Sequence, residues 1–195
     1  MISHKHKCIF IHIPKCAGES VETVLMGRPN WGKDDPSYKL LNLPENSLIG
    51  DDKHYTINEW RHNENFKHYF KFSIVRNPWS AAYSFYKYRK KIDNFPHEFK
   101  EWALCVNPRL WKDFMSPLRY LRVGDEIAVD HIAKFENLKI EWAYLCGRLN
   151  IENKALPHRN NSTNKENYKD HYNEKTRDFI YLKMKEDINF FKYDF

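Results

Sequence analysis

The stretch Cys8-Ile9-Phe10-Ile11-His12-Ile13-Pro14-Lys15-Cys16-Ala17-Gly18-Glu19-Ser20 decides the fold. Residues 8 to 13 form a short, β-prone, largely apolar run, the pattern of a strand covered on both faces in a parallel sheet. Pro14 ends it. Val21, Val24, Leu25 and Met26 then recur at helical spacing, so residues 14 to 20 read as a loop joining a buried strand to a helix N-terminus. At such a junction the first amides of the helix have no intrahelical acceptor and the helix dipole favours negative charge. Lys15 adds a full positive charge, Gly18 permits close approach and Ser20 carries a hydroxyl donor, so the loop is expected to cradle an anion. It is not a Walker motif, because the lysine precedes the glycine and no Gly-Lys-Ser element follows. That weighs against magnesium-dependent nucleotide hydrolysis.

A second buried strand is read at Phe70 to Val75, followed by Asn77 as N-cap and Pro78 at the first helical position, with a helix running to about Lys91. Arg76 stands at the strand exit and Ser84 near the end of the second helical turn. An arginine fork and a hydroxyl converging on one phosphate hold it by charge-assisted hydrogen bonds. A capping arginine and a surface serine are the structural alternative.

Downstream, helices are read from Phe95, Phe99, Trp102, Ala103 and Val106, and from Leu138, Trp142, Leu145 and Leu149. Ile127 to Phe135 reads as a further strand, and one last helix carries Ile180, Met184, Ile188 and Phe191 on a single stripe. Residues 27 to 50 read as loop with one weak strand (Leu40, Leu41, Leu43, Leu48, Ile49), and residues 157 to 173 as a polar loop. Strands that each feed a helix predict an α/β fold: three layers, P-loop-like, with a mostly parallel central sheet flanked by helices. Its ligands belong at the carboxyl ends of the strands.

The chain has 195 residues, which suits one domain spanning 1–195. Its net charge of +6 favours an anionic partner. Cys8, Cys16, Cys105 and Cys146 lack CxxC spacing and are expected to be free thiols of a reducing compartment. His4 and His6 sit in a terminus expected to fray, so no metal site is assigned. No apolar run approaches the length of a membrane span, and no signal-peptide core is visible, so the chain is expected to be soluble and cytoplasmic, with no membrane partner.

Together the two phosphate-type segments resemble the PAPS-dependent sulfotransferase superfamily (PAPS is 3′-phosphoadenosine 5′-phosphosulfate). The resemblance is to its carbohydrate enzymes, which include the heparan sulfate 2-O-sulfotransferase group. Ile11 through Ser20 looks like the family's 5′-phosphosulfate loop, and Val75-Arg76-Asn77-Pro78-Trp79 through Ser84 like its 3′-phosphate site. Phe135-Glu136-Asn137-Leu138, the loop Pro157 through Thr163, and the ending with Tyr172 and Asp187 through Phe195 extend the likeness. Cys16 stands where the family has threonine and Glu19 where it has a small hydroxyl residue.

The resemblance implies that Lys15, Cys16, Ala17, Gly18, Glu19, Ser20, Arg76, Ser84, Arg159, Ser162 and Thr163 bind PAPS, gripping the nucleotide at both ends. It implies in-line attack of a hydroxyl on sulfur, with Lys15 stabilising charge on the departing 5′-phosphate and no metal required. The catalytic base it implies is His54, with His12 and His158 as competitors; a placed imidazole is worth roughly 100- to 10,000-fold in rate. The acceptor expected is a hydroxyl, of a carbohydrate. Trp60, Trp79, Trp102, Trp111, Tyr83, Tyr86 and Tyr88 are candidate sugar platforms unless they are core, and Arg61, Lys87, Arg89 and Lys90 candidate contacts to an acidic glycan. The rival readings are a P-loop kinase and a non-catalytic nucleotide or nucleic-acid-binding module. The first lacks its Gly-Lys-Ser element and the second a concentrated basic stripe, so no nucleic-acid partner is expected.

Overall fold

Strand β1 (Ile2–Ser3) pairs antiparallel with β2 (Cys8–Ile11), which pairs in parallel with β3 (Phe70–Val75). These coordinates belong to a computed structural model that describes residues 1–26, 54–152, 155–157 and 166–195. The residues group into two compact units, Met1–Val75 with Tyr120–Asn160, and Arg76–Arg119 with Asn161–Phe195. The weak strand expected within residues 27 to 50 lies outside the described residues.

In the first unit, β2 is buried at every position, as its unbroken apolar character requires. Ser73 of β3, paired with Ile11 of β2, is satisfied by donating from Oγ to the Ile11 carbonyl at 2.7 Å. Helix α1 (Gly18–Met26) buries Val21 and Leu25. It begins inside the expected loop, because the Ala17 carbonyl already accepts from the amides of Ser20 and Val21. Helix α2 (Ile57–Trp60) is one turn long, with Ile57 and Trp60 fully buried. It is capped by Glu59, whose carboxylate accepts from the Thr56 amide at 2.6 Å and hydroxyl at 2.9 Å.

The predicted strand from Ile127 to Phe135 is shorter than read. Strands β4 (Arg122–Val123) and β5 (Glu126–Ile127) fold back on each other across Gly124, whose φ of 62° suits glycine in a tight turn. Only β6 (His131–Lys134) joins the sheet, in parallel with β3. The order β1-β2-β3-β6 is therefore mostly parallel, as expected. A 3₁₀ turn (Phe135–Asn137) leads into α6 (Leu138–Arg148) where its periodicity predicted, packed against β6. The terminus expected to fray does not: Met1 and Ile2 are buried, the Met1 ammonium donates to the Phe10 carbonyl, and the His4 ring meets the Tyr69 hydroxyl. Two apolar residues find cover at the sheet edge, and the chain is held there.

In the second unit, α3 (Pro78–Asp93) starts as read, with Asn77 Oδ1 accepting from the amides of Trp79 and Ser80 and Pro78 at the first position. Helix α4 (Phe99–Cys105) begins after Phe95 rather than at it, and a π-turn (Leu110–Phe114) precedes α5 (Pro117–Leu121). The polar segment from 166 contains a 3₁₀ turn (Tyr168–His171). The single last helix is two, α7 (Glu174–Lys183) and α8 (Lys185–Phe191), broken at Met184 with φ −120°. The apolar stripe survives the break, because the amides of Met184 and Ile188 still reach the carbonyls of Ile180 and Met184. Ile180, Met184 and Ile188 pack with Trp79, Phe85, Tyr86, Phe99, Trp102 and Trp111 in one aromatic core. The four cysteines are free thiols. Among the described residues no helix is long and apolar enough to cross a membrane.

Candidate active site

The turn between β2 and α1 departs from ordinary backbone at two places. Lys15 (φ 65°) and Ala17 (φ 62°) lie in the left-handed region, which costs a residue with a Cβ about 1–2 kcal/mol. Strain of this kind persists where surrounding structure over-determines it, and it clusters at ligand clamps. Left-handed residues within a turn also bring successive amides into an anion-binding concavity. Lys15 is half-buried within this turn, just ahead of the nine-residue helix α1, whose N-terminus favours negative charge. A phosphosulfate needs such a cation beside clustered backbone donors, so the residues present fit it.

The remaining loop residues divide by orientation. Cys16 is 2% exposed with its Sγ toward the Pro14 carbonyl at 3.4 Å, so its side chain turns inward. Glu19 lies in the first turn of α1, partly exposed. The Ser20 hydroxyl, read as a donor to the anion, donates to the Pro157 carbonyl at 2.7 Å. The glycine has a reason that the sequence did not reveal: a Cβ placed on Gly18 would lie 1.9 Å from Nε2 of His12.

His12 follows the end of β2, 3% exposed, with Nδ1 2.6 Å from Oε1 of Glu22, a fully buried residue of α1. His54, the histidine expected to be the base, stands just ahead of α2. Its Nδ1 is 2.9 Å from the His12 carbonyl, and its ring meets the His12 ring edge-on at 4.5 Å between centroids. A carbonyl only accepts, so Nδ1 carries the proton and Nε2 is the basic nitrogen of neutral His54. That is the arrangement a proton acceptor needs.

In the second unit, Arg76 donates from Nε to Ser80 Oγ at 2.9 Å. Ser80 is four residues from both Arg76 and Ser84, so the two hydroxyls share one face of α3. Ser80 was not singled out from the sequence, although the four-residue spacing is visible there. Several bonds hold the start of α3: Asn77 Nδ2 donates to the Asp194 carbonyl at 2.7 Å, Trp79 Nε1 to the Arg177 carbonyl, and the Tyr172 hydroxyl to the Trp79 carbonyl. The closing segment of the chain thus braces the helix that carries Arg76 at its head.

Arg159, Ser162, Thr163 and the competitor His158 lie outside the described residues. Trp60, Trp79, Trp102 and Trp111 are buried and belong to cores rather than to a sugar platform, Tyr83 and Tyr86 are buried in the same aromatic core as Trp79 and Trp102, and Tyr88 is exposed. Arg89 pairs with Asp93, Lys87 with Glu166 and Lys90 with Glu98.

The model of the sulfotransferase family matches residues 1–194 of the chain. The crystal structure of a sulfotransferase from Alicyclobacillus acidocaldarius is similar at a TM-score of 0.47 and 15% identity, over 95% of this chain and 96% of that one. No curated protein matches the chain.

Proposed function

The chain belongs to the sulfotransferase family, and from that membership we propose that it transfers a sulfuryl group from PAPS to a hydroxyl of a carbohydrate acceptor. The match across 1–194 supports reading the whole chain as one sulfotransferase domain. The observation that carries the reading is the turn with left-handed Lys15 and Ala17 at the head of α1, a backbone form that gathers amide donors around an anion. PAPS supplies sulfur already bonded to a good leaving group, the 5′-phosphate, so the acceptor oxygen bonds to sulfur as that link breaks.

Lys15 and the first amides of α1 take up the negative charge left on the 5′-phosphate, the placement from which electrostatic catalysis draws most of its effect. Arg76, with Ser80 and Ser84, holds the 3′-phosphate. His54 takes the acceptor's hydroxyl proton on Nε2, its other nitrogen being committed to the His12 carbonyl. Ser20 joins the anion site by exchanging its bond to Pro157 for one to the ligand.

A carbohydrate is supported by the likeness to the heparan sulfate 2-O-sulfotransferase group. An open groove of about 430 Å³ beside α3 adds to this, with Tyr83, Tyr86, Lys87, Lys90, Glu98 and His171 among its lining, the mixture of aromatic and charged groups that suits a polar ring.

Calorimetry tests the donor site. Adenosine 3′,5′-bisphosphate should bind about 10- to 150-fold more tightly than adenosine 5′-phosphate, the value of one or two charge-assisted bonds, and Arg76→Ala should abolish the preference. Equal binding of the two nucleotides refutes the assignment. Transfer of radiolabelled sulfate from PAPS to a panel of glycans and small alcohols decides the acceptor class, and exclusive labelling of non-sugar alcohols overturns the carbohydrate.

A further inference from the structure

The geometry points to His12, clamped by Glu22, as the positioning residue for His54, an inference that rests on His54 being the base. At 3% exposure the His12 ring has no access to an acceptor, so whatever it does is done through its neighbours. Besides the stacking of its ring on Phe10, four contacts bear on that role. Its Nδ1 is bound to the buried carboxylate of Glu22 at 2.6 Å, which fixes the rotation of the ring. Its Nε2 edge fills the space that a Cβ of residue 18 would occupy, at the head of the helix that follows Lys15. Its ring forms a wall against the ring of His54, and its carbonyl accepts from His54 Nδ1. The ring and the carbonyl of His12 therefore both meet the proton acceptor, and Glu22 holds that residue still.

The consequence is a tautomer. A histidine side chain in water favours the form protonated at Nε2, whereas His54 held against a carbonyl is protonated at Nδ1. If the clamped His12 ring maintains that state, loosening the clamp returns His54 toward its solution form and costs turnover without costing nucleotide affinity. A misplacement of about 1 Å in a catalytic group is worth on the order of 100-fold in rate.

Two-dimensional ¹H–¹⁵N imidazole spectra of the full chain, recorded at alkaline pH where imidazoles are neutral, read the tautomer directly. Glu22→Gln keeps an acceptor for His12 and Glu22→Leu removes it, while His54→Ala assigns the signal. The native protein and Glu22→Gln should both show His54 protonated at Nδ1. In Glu22→Leu the signal should move toward the Nε2-protonated form, and kcat on the best acceptor of the panel should fall about 10- to 100-fold. The affinity for adenosine 3′,5′-bisphosphate, by calorimetry, should change by less than about threefold.

An unchanged His54 spectrum in Glu22→Leu overturns the inference, and so does nucleotide affinity that falls in step with kcat, which would mean that the pair merely braces the turn. If Glu22→Leu does not fold, His12→Asn makes the same measurement, since its amide keeps a donor toward Glu22 but removes the wall against His54. A His54→Ala variant with native kcat sinks the base assignment alone, because the spectrum of His54 still judges the positioning.

Discussion

Replacing Gly18 with alanine tests the packing at the head of α1. The added Cβ would stand 1.9 Å from His12 Nε2, 2.1 Å from Cδ2 and 2.4 Å from Cε1, where ordinary contacts are about 3.5–4 Å. The backbone of Gly18 is not in the left-handed region, so the collision is the whole of the penalty. The ring has to move, and moving it breaks the 2.6 Å bond to a carboxylate with no solvent exposure. Breaking a buried pair in this way costs about 3–5 kcal/mol. For a chain of this size each kcal/mol lowers the midpoint of thermal unfolding by about 2–4 °C, so Gly18→Ala should melt roughly 6–20 °C below the native protein.

Urea unfolding of the single and double variants supplies the control. In a His12→Ala background the space is vacant, and adding the methyl group should cost less than about 1 kcal/mol, giving a coupling energy of about 2–3 kcal/mol or more. Gly18→Ala with native stability refutes the reasoning. So does an equal loss in both backgrounds, since the obstacle would then be something other than the histidine.

Asp187 is buried, and burial raises its carboxyl to about 6 although bonds from the Leu118 amide and the Ser116 hydroxyl pull it down. The folded state therefore holds this proton more tightly than the unfolded chain. Its contribution is fully present below the unfolded value of 3.8 and is lost as pH rises through about 6. Asp187→Asn, which does not ionise, should gain up to about 3 kcal/mol over the native protein at pH 8 and nothing at pH 4; a gain independent of pH refutes this. Cys105 is exposed, whereas Cys8, Cys16 and Cys146 are buried and burial pushes the Cys8 thiol up to about 12. A disulfide reagent should label one thiol quickly, and a fast phase that survives Cys105→Ser contradicts the assignment.

The parts of the fold that announce themselves are those with a period or a punctuation mark. Phe70 to Val75 was legible to the residue because Asn77-Pro78 marks the helix start, and the β2 to α1 junction because the apolar run stops at Pro14. A side chain whose environment is set by distant residues carries no such mark. Glu22 looks in the sequence like any polar residue between Val21 and Leu25, and only the return of His12 against α1 shows that it is buried. The four tryptophans have the same helical spacing whether they face a core or a sugar. Met184 breaks a helix without breaking its apolar stripe, so the interruption leaves no trace in the periodicity. Of the proposed donor site, the two anchor segments and His54 come from the sequence and its resemblance, while the bond from Arg76 to Ser80 and the His12–Glu22 pair needed coordinates.

The unusual backbone at Lys15 and Ala17 decides when the proposed binding loop is ordered. A flexible loop of glycines would wrap an anion only by giving up its freedom at the moment of capture, and affinity would fall accordingly. Here the residues have side chains, the shape is imposed by the strand and helix on either side, and the entropy is surrendered once, during folding. On the proposed reading the turn is preorganised: apart from the Ser20 hydroxyl, which must leave Pro157, the phosphosulfate end of PAPS meets a backbone that already has its form.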